Sequence, residues 1–298
     1  MHTLNRLTDP FSALQYGQFT FPAYRSRLAT CQSNGSTVAI SACIDREPVG
    51  LTLAELQADS TAEILSIFVK SSYRNQGIGS ALLNRLQTEL QLQGCHQLEL
   101  VYTTGPSTPI LERILQKFDW STPEPRRLIC KFDSRRLLQL PGVQKPHRLP
   151  KGFSLFSWTD LTEQERRSLS SAEVTAWAPE DLHPFRYEHN FDPATSLGLR
   201  HQGAIIGWMI NHRLGADTIR FSSSYVRPDL QRRGRIFPLY AEAIKRVALQ
   251  PEISTILWTV PYIYPTMASI CKRHIDYAKS IAESRGSSKV LTAAPITC

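Results

Sequence analysis

The chain has 298 residues, 42% hydrophobic and 20% charged, with no low-complexity tract. This excludes a largely disordered chain and leaves room for two ordinary domains. A net charge of +8 favours an acidic or phosphorylated partner, but there is no helix-turn-helix spacing, zinc finger or interleaved aromatic–basic motif to support nucleic acid.

In chain order, "REPVGLTLAEL" reads as a strand carrying Gly50, and "AEILSIFVKSSY" as a second, alternating strand. "RNQGIG" then turns the chain into a helix. Its apolar residues Ile78, Leu82, Leu83, Leu86 and Leu90 fall on one face, with Asn84, Arg85, Gln87, Glu89 and Gln91 on the other. Gly94 is a natural stop. "HQLELVYTT" is a further strand, "LERILQKFDW" a further helix, and "RRLICKFD" a strand closing a first domain over residues 1–136. Proline and glycine mark 137–152 as a basic linker of restricted flexibility. A second domain follows over 153–298.

The second domain repeats the first. "QGAIIGWMINHRL" carries Gly207, "TIRFSSSYVRPDL" follows, and "QRRGRIFPLYAEAIKRV" turns into a helix with Ile236, Leu239, Tyr240, Ala243, Ile244 and Val247 on its apolar face. "STILWTVPY" is its next strand. Gly50 to Gly207 and Gly77 to Gly234 are the same shift of 157 residues, which points to an internal duplication. Strands and helices in this order give an α/β fold, twice.

Nothing in the chain has the apolar length of a signal peptide or membrane span, so a cytoplasmic protein is expected. The six cysteines (Cys31, Cys43, Cys95, Cys130, Cys271 and Cys298) lack metal-ligand spacing. They are expected to stay reduced, with no metal bound.

The turn from Arg74 to Gly79 carries the chemistry. A strand, a glycine turn and a helix leave several free N–H groups at the positive end of the helix dipole, a site suited to phosphate. Arg74 adds a charge and a planar donor fork. Side chains at Gly77 or Gly79 would occupy the space of the phosphate oxygens. The turn lacks the third glycine of the dinucleotide fingerprint and the Lys–Ser/Thr ending of the Walker loop. A tight turn that binds nothing is the plainer alternative.

"SIFVKSSYRNQGIGSALLNRL" resembles the signature motif of the GCN5-related N-acetyltransferases, the GNAT superfamily, in which R/Q-x-x-G-x-G/A follows a strand and opens a helix. Arg74, Gly77 and Gly79 match it. The resemblance implies two tandem GNAT folds, each a mixed, mostly antiparallel sheet flanked by helices, with one splayed parallel strand pair. It implies acetyl-CoA or a longer acyl-CoA as co-substrate. The pyrophosphate would lie on Arg74, Asn75, Gln76, Gly77, Ile78, Gly79 and Ser80, and the thioester arm along Ile67, Phe68 and Val69; the asparagine that the family often keeps on the last helix is missing, and Thr108, near its place, is the remaining cofactor-binding candidate. In the second copy Gln231 and Gly234 fit, but Ile236 stands where the last glycine or alanine belongs, so a degenerate motif is expected there.

Acyl transfer to an amine must first remove a proton, because a lysine-like amine of pKa near ~10.4 costs roughly 4–5 kcal/mol to deprotonate at pH 7. Glu63 lies an even number of residues before Val69, hence on the same strand face, and is the candidate base. The family's usual tyrosine acid is missing, because Leu115 holds its position, and Asp119 replaces the glycine of the following Gly–Phe pair. Tyr102, at a strand end, is the substitute candidate. The acidic, aromatic stretch from Trp177 to Pro193, with Glu180, Asp181, Glu188 and Asp192, is a candidate receiver of a cationic acceptor. The layout also looks like tandem members that fatty-acylate Lys or Orn side chains of ribosomally made peptides. The expected partners are an amine-bearing small molecule or peptide and an acidic acyl carrier protein. A non-catalytic acyl-CoA-sensing module is the alternative of a different class.

Overall fold

The computed structural model describes residues 2–32, 35–145 and 148–291, so Cys298 and the linker positions 146 and 147 lie outside the described residues. The chain forms β1 (Thr3–Leu7), α1 (Pro10–Leu14), α2 (Arg25–Leu28), β2 (Thr37–Ile44), β3 (Glu47–Leu56) and β4 (Thr61–Val69). It continues as α3 (Ile78–Leu92), β5 (Gln97–Thr103), α4 (Thr108–Lys117) and β6 (Glu124–Asp133). Then come α5 (Ser134–Leu137), α6 (Pro141–Gln144), β7 (Phe153–Ser157), α7 (Glu163–Leu169), α8 (Ala172–Trp177) and β8 (Leu197–His201). The last elements are β9 (Ala204–Arg213), β10 (Thr218–Val226), α9 (Pro228–Gln231), α10 (Phe237–Ala248), β11 (Thr255–Pro261), α11 (Pro265–Arg273) and β12 (Ala278–Val290).

Two compact units result. One is the chain up to Arg126 together with the segment from Glu283 onward; the other is Arg127–Ala282. These limits differ from the expected 1–136, 137–152 and 153–298 for physical reasons. Arg127 to Asp133 pair antiparallel with β11, and Leu128, Cys130 and Phe132 are buried in the second core. Ser284 to Val290 pair antiparallel with β5 of the first unit. Residues 137–145 are no linker: Leu137 and Val143, on α5 and α6, are buried in the second unit's core.

In the first unit the strand order is β1-β2-β3-β4-β5 followed by the 283–290 part of β12, with β4 and β5 as the parallel pair. Helix α3 lays Ile78, Leu82, Leu83, Leu86 and Leu90 against Val38, Ile40, Ile64 and Leu98. Each such buried side chain stabilises the fold by about 1.5–3 kcal/mol. The helix ends in a Schellman turn: Gly94 takes φ 82, and the N–H groups of Gly94 and Cys95 reach the carbonyls of Gln91 and Leu90. Gln87 and Glu89, expected to face solvent, are buried. Arg6 of β1 and Arg85 both donate to Glu89, at 2.9 and 2.6 Å, so β1 covers part of the polar face. Helices α1 and α2 cover the opposite sheet face around Leu51, Leu53 and Leu65.

The second unit orders its strands β6-β11-β10-β9-β8-β7, with β10 and β11 parallel. Leu239, Ala243, Ile244 and Val247 of α10 pack on Ile206, Met209, Ile219 and Ile256. Trp158, Leu169, Trp208 and Ile210 form a separate cluster. The duplication is physical as well as sequential. A Cβ on Gly50 would meet the Phe68 carbonyl at 2.9 Å, and one on Gly207 the Tyr225 carbonyl at 2.8 Å, so the same close approach demands glycine in each copy. The two units, each with one parallel strand pair and helices packed on its strands, make the expected α/β architecture. No helix among the described residues is long and apolar enough to cross a membrane.

One ion pair of the second unit has a measurable pH signature. Thr162 and Glu165 form a capping box at the start of α7, and Arg200 Nη2 donates to Glu165 at 2.9 Å. Arg200 and the cap hold the Glu165 carboxyl at a pKa of about 2, below its ordinary 4.5. The depressed value means that the pair stabilises the fold above pH 4.5, and that this is lost as pH falls through about 2. Glu165→Gln should therefore cost about 2 kcal/mol at pH 7, after discounting for partial exposure. Denaturant unfolding at stepped pH should show this difference closing between those two values.

Candidate active site

The site starts from one extra residue. Along β3 and β4, Leu53 pairs with Ser66 and Ala54 with Ile64, leaving Leu65 as a bulge. A bulge bends its strand. The parallel pairing of β4 with β5 ends there, at Ile64 and Leu100, and both strands run on without each other. Between them lies a cleft of about 1000 Å³. Leu65 to Val69 form one side and Leu100 to Thr103 the other, with Phe21 and Tyr24 from the α2 side and Ser107, Ile110, Arg113 and Ile114 from α4.

The glycine turn stands at one end. Gly77 takes φ 79, which explains its identity by torsion alone. The first hydrogen bond of α3 runs from Ala81 N–H to the Gly77 carbonyl, so the N–H groups of Ile78, Gly79 and Ser80 precede it as an anion cradle. Gly79 differs from Gly77. A Cβ there would make only ordinary contacts, 3.4 Å to Ile114 and 3.8 Å to Val69. Packing therefore does not demand glycine at 79, and its bareness leaves room in the cleft for a ligand. Arg74 Nε donates to the Val69 carbonyl at 2.9 Å, and in the second unit Gln231 Nε2 donates to the Val226 carbonyl at 2.8 Å. Arginine and glutamine thus serve the same strand-end bond, which accounts for their exchange between the copies.

Of the residues singled out from the sequence, Ile67, Phe68, Val69, Arg74, Asn75, Gly77, Ile78, Gly79, Ser80 and Tyr102 line the cleft. Gln76 does not; its amide reaches back to the Ser72 carbonyl at 3.5 Å. Thr108 accepts the Gly105 N–H at 2.8 Å, while its neighbour Ser107 faces the cleft. Leu115 is buried in the core. Asp119 takes the left-handed φ of 54 that a glycine would supply. The walls from Phe21, Tyr24 and α4 were missed. The spacing of Ile110 and Ile114 in "PILERILQ" was available as a signal for α4.

Glu63 corrects the parity argument. Ala62 and Ile64 face the α3 core, and so do Ile67 and Val69 beyond the bulge. The inserted Leu65 therefore puts Glu63 and Val69 on opposite faces despite their even spacing. Glu63 is exposed and is flanked by Glu55 on β3 and Glu99 on β5. Glu55 pairs with Arg27 of α2 at 3.3 Å. The Glu63 carboxylate is thus on the α2 side of the sheet, one residue before the strands part.

Tyr102 donates its hydroxyl to Glu112 at 2.7 Å, and Arg285 donates to the same carboxylate at 2.9 Å. Burial, then this bond, raises the tyrosine pKa. The hydrogen bond from Tyr102 and the nearby Arg285 hold Glu112 below the usual carboxylate range. Tyr102 keeps its proton at neutral pH and donates the hydrogen bond to Glu112, not into the cleft.

The acidic stretch of the second unit is consumed internally. Glu188 accepts from Trp158 and Arg166, Asp192 from Thr195, Asp181 from Tyr264, and Glu180 from Arg186. Trp177 stacks on Tyr225 with ring centres 6.1 Å apart. The second splay, after Phe221 and Trp258, is bridged. Tyr240 reaches from α10 to the Ser224 hydroxyl on β10 and lies 4.5 Å from the Trp258 ring on β11. Ile236 packs on the second core. Among the described residues, no group of three or more His, Cys, Asp and Glu could hold a metal ion.

Residues 3–117 match the model of the acetyltransferase (GNAT) family. A tandem GNAT protein from the clavulanic acid biosynthesis pathway, solved without AcCoA, superposes over 99% of both chains with TM-score 0.62 and 14% identity. A GCN5-related N-acetyltransferase from Sphaerobacter thermophilus covers 97% of this chain and 95% of its own, with TM-score 0.59 and 14% identity. No curated protein matches the chain significantly in sequence. The family match thus lies within residues 3–117, and the likeness along the whole length is one of fold: the chain folds as two GNAT-like units in tandem, the first of which matches the family model.

Proposed function

We propose that the protein moves an acyl group from acyl-CoA to a primary amine, on a small molecule or on a Lys or Orn side chain of a peptide, by direct attack. The observation that carries this reading is the opening of the cleft between β4 and β5 over the free N–H groups of α3. The turn would hold the pyrophosphate, and the unpaired edges of β4 and β5 would hydrogen-bond the extended pantetheine amides. Glu63, on the α2 side, takes the ammonium proton. The amine nitrogen then bonds to the thioester carbon, the adduct gives its second N–H proton to water, and the C–S bond breaks. A thiol of pKa near ~8.5 leaves tolerably as thiolate, so the engaged Tyr102 is not required to surrender its proton at that step.

Two features support a finer reading. Phe21, Phe68, Val101 and Ile110 are large, apolar and exposed at the cleft, which suits an acyl chain longer than acetyl. The first unit carries twelve Lys and Arg against twelve Asp and Glu, whereas the second carries twenty-two against fourteen. The donor unit is therefore balanced, and charge favours a CoA ester over an acidic carrier protein as donor. Incubation with acetyl-, octanoyl- and palmitoyl-CoA plus a library of amines and lysine-containing peptides, read by mass spectrometry, should show amide products with the longer chains preferred. CoA binding without transfer to any amine would leave only a binding module.

A further inference from the structure

The shift of 157 places Arg220 where the first unit has Glu63. The structure keeps this register through β10: the bulge residue is Leu65 in one unit and Ser222 in the other. The position next to the parting strands has therefore reversed its charge. Ile219 and Phe221 are buried in the core with α10, so Arg220 stands on the other sheet face. Its Nη2 donates to Thr259 Oγ1 on β11 at 3.0 Å, and its Nε is buried without a hydrogen bond.

The surroundings supply no counter-ion among the described residues. Across the sheet, Arg220 is flanked by His212 and Leu257, and Leu257 pairs with Lys131 on β6. Both His212 nitrogens are taken, by the Ser222 hydroxyl and the His189 carbonyl. Lys131 is exposed. The nearby carboxylate on β6, Asp133, accepts the N–H groups of Arg135 and Arg136 and lies 3.7 Å from Lys279. Two strand spacings separate the Cα atoms of Arg220 and Lys131 by roughly 10 Å, a span that both long side chains can close onto one group. A partly buried guanidinium with an idle donor is costly unless an anion meets it, and its fork matches an oxyanion.

We propose that this face of the second unit is an oxyanion site, binding a phosphate or carboxylate group between Arg220 and Lys131, with the Thr259 hydroxyl orienting it. Its residues all belong to the second unit. Calorimetric titration of the full chain with pyrophosphate and, separately, with a hexaglutamate peptide tests it. Gly79→Val protein serves as the host, so that the donor turn contributes nothing. At least one probe should bind, and Arg220→Gln with Lys131→Gln should weaken it at least tenfold. The stronger of the two probes names the source of the anion. A charge-keeping pair, Arg220→Lys with Lys131→Arg, should retain binding within about fivefold, which separates loss of charge from loss of fold. Absence of binding by both probes, unchanged binding in the glutamine pair, or equal loss in the charge-keeping pair overturns the proposal.

Discussion

Gly79→Val protein should fold and yet fail to bind CoA. The fold has room for the first added carbon, since its contacts to Ile114 and Val69 are ordinary. Helix propensity does not oppose the change, because valine is a better helix former than glycine. The added methyl groups, however, enter the space before the free N–H groups of residues 78–80. With CoA at a hundred times its wild-type Kd, the wild type gains about 2.7 kcal/mol of stability. That gain should vanish from the melting curve of the variant. Ile236→Gly, at the matching place in the second unit, should leave it intact. Retention of wild-type CoA affinity by Gly79→Val protein would remove the phosphate from this turn.

Glu63→Gln should lower kcat by about 10²–10⁴ at pH 7, the usual worth of a positioned base, with little change in the KM for acyl-CoA. Glutamine keeps the size and polarity of the side chain and removes only its ability to take the proton. The variant's deficit should narrow as pH rises toward the amine's own pKa near ~10.4, where the solvent does the same work. The pH–rate profile of kcat is the decisive measurement. A loss of threefold or less, at all pH values, would mean that the proton leaves by another route.

The donor turn was legible because its demands are local. Gly77 answers a torsion, the spacing of Ile78 to Leu90 answers a helical period, and their recurrence 157 residues later marks the duplication. What stayed hidden depended on distant parts of the chain. A bulge has no side-chain signature, so Leu65 could not be recognised as the residue that turns Glu63 to the other face. Phe21 and Tyr24 reach the cleft only through the packing of α2. Residues 137–145 look like a linker by composition, yet Leu137 and Val143 bury themselves once β6 has brought them to the second core. The strand "ESRGSSKV" has no apolar run. Its place beside β5 is set by backbone pairing, and a composition reading passes over it.

That last strand has a bearing on how the protein comes into being. β5, one wall of the donor cleft, pairs on its outer side with Ser284 to Val290, a segment that the ribosome makes only after all of Arg127–Ala282. Until then the nascent first unit carries an open sheet edge, a template for wrong partners. Its closure must also wait for a pairing across a long stretch of sequence, which is intrinsically slow. The unit that carries the cleft is thus begun first and finished last, and the second unit is made inside that interval.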